Sequence, residues 1–312
     1  MSKIATREAY GKALAEFGKD PNIVVLDADL SKSTKTDTFQ KVYPERFFNI
    51  GIAEANMISI AAGMATCGKT VFASTFAVFA SMRACEQIRN SICYPKLNVK
   101  IGATHAGISV GEDGASHQTV EDMAIMRSLP NMTIICPCDG IETRAAVKAA
   151  IDIKGPVYLR LGRLALPLVH KEEDFSFELG KGIQLKDGGD VTIIATGLMV
   201  YKSLEAAEML KAQGIDARVI DIHTIKPIDK DIIVKAAKET GAIVTAEEHN
   251  IIGGLTGAVA EVLVQNYPVP LKAVAINDVF GKSGKPDELF QEYGLTPENI
   301  VKQAQEVIKM KK

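Results

Sequence analysis

Residues 104–118 read Thr-His-Ala-Gly-Ile-Ser-Val-Gly-Glu-Asp-Gly-Ala-Ser-His-Gln and follow directly on the apolar run 97–101. This short stretch holds two imidazoles (His105 and His117), two carboxylates (Glu112 and Asp113) and three glycines. Two imidazoles beside a carboxylate can move protons near neutral pH or bind polyols and phosphates. The glycines let the backbone turn sharply and approach a ligand closely. A strand that ends in a polar, Gly-rich loop is where open α/β sheets place their chemistry. The competing reading of the same string is a polar surface loop.

Other residues suited to chemistry are scattered along the chain. Glu54 follows Gly51-Ile52-Ala53 at the start of a helical pattern. It reads either as a first-turn carboxylate favoured by the helix dipole or as a group aimed at a ligand. Phe76 and Phe79 fall at a strand-to-helix junction, where aromatics at this spacing are normally core. Arg7 and Arg163 carry planar guanidinium forks that match phosphate oxygens in pairs, although each also reads as an ordinary surface or domain-boundary charge. Cys136-Pro137-Cys138 lacks a second Cys/His pair, so core thiols are favoured over a metal or redox site.

The elements that must position these residues alternate in type. Strand candidates are 23–28, 70–73, 99–102, 132–136 and 157–161, and helix candidates are 7–17, 55–67, 78–92, 120–127 and 142–151. Short apolar strands alternating with longer helices predict parallel sheets covered on both faces. The rhythm pauses between Leu164 and Gly189, where the chain turns charged and irregular. It then resumes with strands 191–195, 217–222, 242–246 and 273–276 and helices 202–213, 258–265 and 297–309. The expected fold is α/β, with two doubly wound, mostly parallel sheet domains at 1–165 and 190–312 joined by a linker at 166–189.

Bulk properties narrow the function. The chain of 312 residues suits two domains. With 36 Lys+Arg against 38 Asp+Glu, the net charge of −2 gives no basic excess for nucleic acid. The five Cys are odd in number and lie in apolar or helical contexts, which predicts buried, reduced thiols and a cytoplasmic protein. No signal peptide is expected, because residues 1–7 run straight into an amphipathic helical pattern. The weakly charged stretch 55–82 is broken at Gly68-Lys69 into pieces too short to cross a bilayer, so no membrane association is expected.

Read together, the spaced motifs resemble the transketolase family, thiamine-diphosphate enzymes that move two-carbon ketol units between sugar phosphates. The matching strings are Thr6-Arg7, Asp27-Ala-Asp29-Leu30, Asn49-Ile-Gly-Ile-Ala-Glu54-Ala-Asn-Met57, Ser74-Thr-Phe76-Ala-Val-Phe79, the loop 104–118, Pro137-Cys-Asp139 and Gly162-Arg163. They cover essentially the whole chain but only the middle and C-terminal domains of a full-length family member. The resemblance implies that Glu54 holds the aminopyrimidine ring nitrogen of the cofactor and favours the tautomer that accepts a proton. It implies that Phe76 and Phe79 flank that ring, with Asp29 and Leu30 near it. Arg7, Ser33, His105 and Arg163 match sugar-phosphate ligands. Asp113 matches a buried carboxylate that reads a substrate hydroxyl, and His117 an imidazole at the reacting carbon. Arg163 is preferred to the nearby Arg160 because Leu-Gly-Arg fits the family's Leu-Ser-Arg. Met82 stands where the family often has Tyr. Glu112 remains either a cofactor-side contact or an interface carboxylate. No role is assigned to His170, His223 or His249, and a satisfied structural histidine is the expectation for His249.

The family's Gly-Asp-Gly and downstream Asn, which hold Mg²⁺ and the diphosphate, are missing from this sequence. No metal ligand is therefore expected in this chain. The resemblance implies one subunit of a split transketolase, whose N-terminal subunit supplies the diphosphate/Mg²⁺ domain. It also implies a homodimer of this chain inside a four-chain assembly. Two other readings stay open: the β subunit of a thiamine-dependent 2-oxoacid dehydrogenase, which is split at the same place, and a non-catalytic transketolase-like scaffold.

Overall fold

The computed structural model describes residues 3–173 and 175–311. In chain order its strands are β1 Lys3–Ala5, β2 Ile23–Asp27, β3 Phe47–Asn49, β4 Thr70–Phe76, β5 Val99–Thr104, β6 Thr133–Ile135, β7 Val157–Arg160, β8 Ala165–Pro167, β9 Ile183–Lys186, β10 Val191–Ala195, β11 Ala217–Asp221, β12 Thr224–Lys226, β13 Ile243–Asn250 and β14 Leu271–Ile276. The first sheet runs β12-β6-β7-β5-β4-β2-β3 and the second β14-β13-β10-β11-β9. Pairing is parallel except for the edge strands β12 and β9. The α/β architecture of two mostly parallel sheets is the expected one.

Helices cover both faces of the sheets, which is why β2, β4 and β10 read as near-continuous apolar runs and are buried throughout. The strand order reverses beside β2: the chain passes from β2 to β3 on one side, then crosses to β4 on the other. Such a switch point leaves a crevice at the carboxyl ends of the strands, the preferred place for a ligand in an open α/β sheet.

Several elements differ from the sequence expectation. The helix expected at 78–92 is not a regular α-helix. Wide π-helical turns at Phe79–Arg83 and Ile88–Cys93 flank a short α-turn at Cys85–Gln87. The Ser81 hydroxyl donates to the Ala77 carbonyl at 2.7 Å, a local competitor for the backbone ladder. The stretch 166–189 carries secondary structure: β8 pairs with β1, and β9 forms an edge of the second sheet. β12, which follows β11 in the chain, crosses to the first sheet and covers its β6 edge. Three of the five cysteines are buried, as expected, but Cys67 is exposed at a helix end and Cys85 is half-buried.

A buried charge network joins the domains. Arg160, ending β7, donates through Nε and Nη2 to the Asp122 carboxylate at 2.9 and 3.1 Å. Tyr158 Oη donates to the same carboxylate, and Arg160 Nη2 also reaches the Glu248 carbonyl of the second domain. Removing one partner of a buried pair strands the other charge. Asp122→Ala is therefore expected to lower stability by about 3–5 kcal/mol, read as a lowered urea midpoint.

Candidate active site

The residues singled out for chemistry converge on the switch-point crevice. Glu54 opens the helix Glu54–Thr66 just beyond β3, Phe76 ends β4, and Phe79 lies in the π-turn that follows. His105 follows β5, and Arg7 lies in the first turn of the helix Thr6–Phe17. The Phe76 and Phe79 rings stack with centroids 5.7 Å apart. His105 stacks on Phe76 at 3.8 Å, and His117 stands edge-on to both phenyl rings at 6.2 and 5.5 Å. The result is a flat apolar wall rimmed by two imidazoles.

Glu54 is only 4% exposed, and its Oε1 accepts from Arg83 Nη1 at 3.0 Å. The Arg83 guanidinium lies 3.9 Å from the Phe79 centroid. Arg83 thus satisfies a buried carboxylate from a side chain that is itself half-exposed. Nothing in the sequence pattern pointed to Arg83. The widened turn brings it to Glu54, and 3.6-residue periodicity does not encode that turn.

On the other side of the wall, Arg7 Nη1 donates to the Ser33 carbonyl at 2.9 Å and lies 3.2 Å from His105 Nε2. His105 Nδ1 faces Thr104 Oγ1 at 2.9 Å. Arg7 can only donate, so His105 accepts at Nε2 and carries its proton on Nδ1. Burial, then Arg7 and Arg163, push the His105 pKa down to about 3. Folded His105 is therefore neutral, whereas an unfolded histidine takes up a proton below about 6.5. Its contribution to stability is complete above about pH 6.5 and is lost as the pH falls toward 3. Its imidazole ¹⁵N shifts are expected to stay in the neutral form from pH 8 to pH 5, where a free histidine titrates.

Arg163 Nη1 donates to the Val110 carbonyl and lies 3.8 Å from Glu112 and 3.9 Å from Asp113. Asp113 was expected to be buried, but its side chain is 43% exposed, because the Gly-rich loop carries it to the rim. Asp29 is exposed, has φ +64° and accepts from Asn49 Nδ2 at 2.7 Å. The Leu30 N–H donates to Asp27, whose buried carboxylate also holds Thr34 and Thr36. Neither Asp29 nor Leu30 touches the phenyl wall through a described polar or aromatic contact. They shape the turn after β2. Arg160 is occupied by Asp122, whereas Arg163 is part-exposed at the loop itself.

The C-terminal domain acts on the loop 104–118 as a clamp. Glu248, near the end of β13, accepts the Ser109 N–H at 2.6 Å, and Gln118 Nε2 donates to the Lys282 carbonyl at 2.9 Å. Gly107 has φ +81°, and a Cβ there would collide with the Glu248 carboxyl. His249 is structural: its Nδ1 bonds the Asn250 carbonyl, and its Nε2 lies 3.4 Å from the Ala124 nitrogen.

The family model "Transketolase, pyrimidine binding domain" matches residues 2–169 and "Transketolase, C-terminal domain" matches 180–300. The chain belongs to the transketolase family. A "Putative transketolase C-terminal section" of Methanocaldococcus jannaschii is 55% identical over 306 residues, covering 97% of this chain and 96% of the relative. A "6-deoxy-6-sulfo-D-fructose transketolase subunit" of a Clostridium species is 45% identical over 306 residues, covering 98% and 95%. A solved "Split gene transketolase, inactive beta4 tetramer" is 58% identical, with a TM-score of 0.91 and 99% of both chains covered. The transketolase resemblance, and the split C-terminal section within it, hold along the whole length. Among the described residues no helix is long and apolar enough to cross a membrane.

Proposed function

We propose that this chain is the C-terminal subunit of a two-chain transketolase, transferring a two-carbon ketol unit between ketose and aldose sugar phosphates with thiamine diphosphate. It works in the cytoplasm as a homodimer completed by two N-terminal subunits that carry the diphosphate and Mg²⁺ ligands. The observation that carries this reading is the contact chain Glu54–Arg83–Phe79–Phe76–His105–Arg7 at the switch point. It sets a pyrimidine-type pocket directly beside an anion cradle.

The residues present fit half of the cofactor. A buried carboxylate held by one half-exposed arginine beside a flat phenyl wall suits an aminopyrimidine ring, with Glu54 on a ring nitrogen and Phe76 and Phe79 at its faces. The diphosphate half has no counterpart here. The one group of potential metal ligands among the described residues sets two carboxylates beside a thiol and an imidazole, too few hard oxygens for Mg²⁺. When bound, thiamine diphosphate supplies the electron sink that ketol transfer needs.

The chain's own residues do the rest. Arg83 releases Glu54 to the ring nitrogen. Arg7 and Arg163 take the anionic end of the sugar through paired charge-assisted hydrogen bonds, and neutral His105 accepts from Arg7 and keeps its fork oriented. His117, at the edge of the phenyl wall, hands a proton to or from the sugar oxygens at the reacting carbon. Asp113 meets a hydroxyl further along the sugar. The substrate named for the clostridial relative, a ketose ending in a sulfo group, has the anionic terminus such a cradle suits.

The test compares substrates in the reconstituted pair. Turnover of a ketose phosphate with an aldose phosphate acceptor is expected. Decarboxylation of 2-oxoacids without ketol transfer would replace this reading with the 2-oxoacid dehydrogenase one, and inactivity toward both would favour a scaffold.

A further inference from the structure

Outside the loop 104–118, four side chains meet where the two sheets adjoin. Cys138 follows β6, and Glu142 lies in the first turn of the helix Gly140–Asp152. His170 follows β8, and Asp221 ends β11. One potential ligand atom from each lies within 4.8 Å of the other three. Glu142 and Asp221 have no solvent exposure, Cys138 is buried, and the His170 side chain is 6% exposed.

The fold leaves two carboxylate oxygens here without a hydrogen-bond partner. Glu142 Oε2 accepts the Cys138 N–H at 2.6 Å, but Oε1 has no hydrogen-bond partner and faces His170 Nε2 at 3.6 Å. Asp221 Oδ2 lies 3.4 Å from the same nitrogen, and Asp221 Oδ1 is unpartnered. A protonated His170 turns only its Nε2–H toward the two carboxylates, at distances longer than a good hydrogen bond. Buried carboxylate oxygens without donors are costly, and a cation among them removes that cost. The surroundings are already built: Asp139 accepts the Val169 and His170 N–H groups at 2.8 and 2.9 Å, which fixes the His170 loop.

We propose that Cys138 Sγ, Glu142, His170 Nε2 and Asp221 form a structural site for one divalent transition metal of the zinc class, tying the first domain, the connecting segment and the second domain together. Sulfur, nitrogen and carboxylate oxygen in a four-ligand set suit zinc and disfavour the hard cations Mg²⁺ and Ca²⁺. Binding displaces the Cys138 thiol proton and the His170 Nε2 proton to solvent as the metal–sulfur and metal–nitrogen bonds form, so affinity rises with pH.

The test uses the full, untagged chain, stripped with a chelator and titrated with Co²⁺. One Co²⁺ per chain is expected, with tetrahedral ligand-field bands, a thiolate-to-cobalt charge-transfer band, displacement by Zn²⁺ and a raised thermal midpoint. Cys138→Ser is expected to lose the charge-transfer band and to weaken binding by about a hundredfold or more. Cys67→Ser, at the exposed thiol, is expected to change neither. If Cys138→Ser does not fold, His170→Ala in the connecting segment is expected to show the same loss of affinity with unchanged circular dichroism. Failure to retain one Co²⁺, a spectrum without the thiolate band, or a band that Cys67→Ser removes would each overturn the proposal.

Discussion

Glu54→Gln in the reconstituted enzyme is expected to lower kcat by about a thousandfold, the scale of a lost proton-transfer element. The cause lies in the burial of Glu54 at the first turn of its helix, where its carboxylate stands ready as a ring-nitrogen partner beside Arg83 and Phe79. A glutamine keeps the shape and the carbonyl oxygen but not the ionisable carboxyl that steers the ring's tautomer. The KM of the sugar phosphate is expected to stay within a small factor, because Glu54 faces the cofactor side. Folding is expected to survive, since the amide oxygen still accepts from Arg83. Steady-state kinetics at saturating cofactor reads this out, and wild-type kcat in Glu54→Gln would remove Glu54 from the chemistry.

The anion cradle gives the second large effect. Arg7→Leu and Arg163→Leu are each expected to raise the KM of a phosphorylated ketose roughly tenfold to a hundredfold, the loss of one or two hydrogen bonds to a charged group. An unphosphorylated ketose of the same length is expected to be handled alike by wild type and variants. The effect is expected to be larger at Arg7, whose fork is preset by the Ser33 carbonyl and His105, than at Arg163, which is looser near Glu112 and Asp113. Equal losses on both substrates would mean that the arginines support the fold rather than the phosphate.

How far the sequence carried these conclusions depends on what each element owes to local pattern. β2, β4 and β5 were legible because they are buried on both faces and read as short apolar runs ending in polar turns. The position of the loop 104–118 was legible for the same reason: its glycines and histidines sit at a strand end, and the structure stacks His105 on Phe76. β9 and β12 were not, because short antiparallel edge strands carry almost no periodic signal and take their place from a distant neighbour. Arg83 was hidden by the irregular turns at 79–93, and Asp113 by a loop that turns it outward. Glu248 reads in sequence as one acid of Glu247-Glu248-His249, yet in the fold it is the residue that pins Ser109. The cluster at Cys138, Glu142, His170 and Asp221 was invisible for the plainest reason: its members come from three separate stretches of chain and meet only when both sheets have formed.

The most direct measurement is thiamine-diphosphate- and Mg²⁺-dependent ketol transfer from a ketose phosphate to an aldose phosphate, with this chain alone, with a partner subunit carrying Gly-Asp-Gly and its downstream Asn alone, and with the two mixed. Activity confined to the mixture, saturating near equal numbers of the two chains, is the predicted result. Full activity of this chain by itself, or none in a mixture that forms a stable complex, would contradict the assignment of half an active site to this chain.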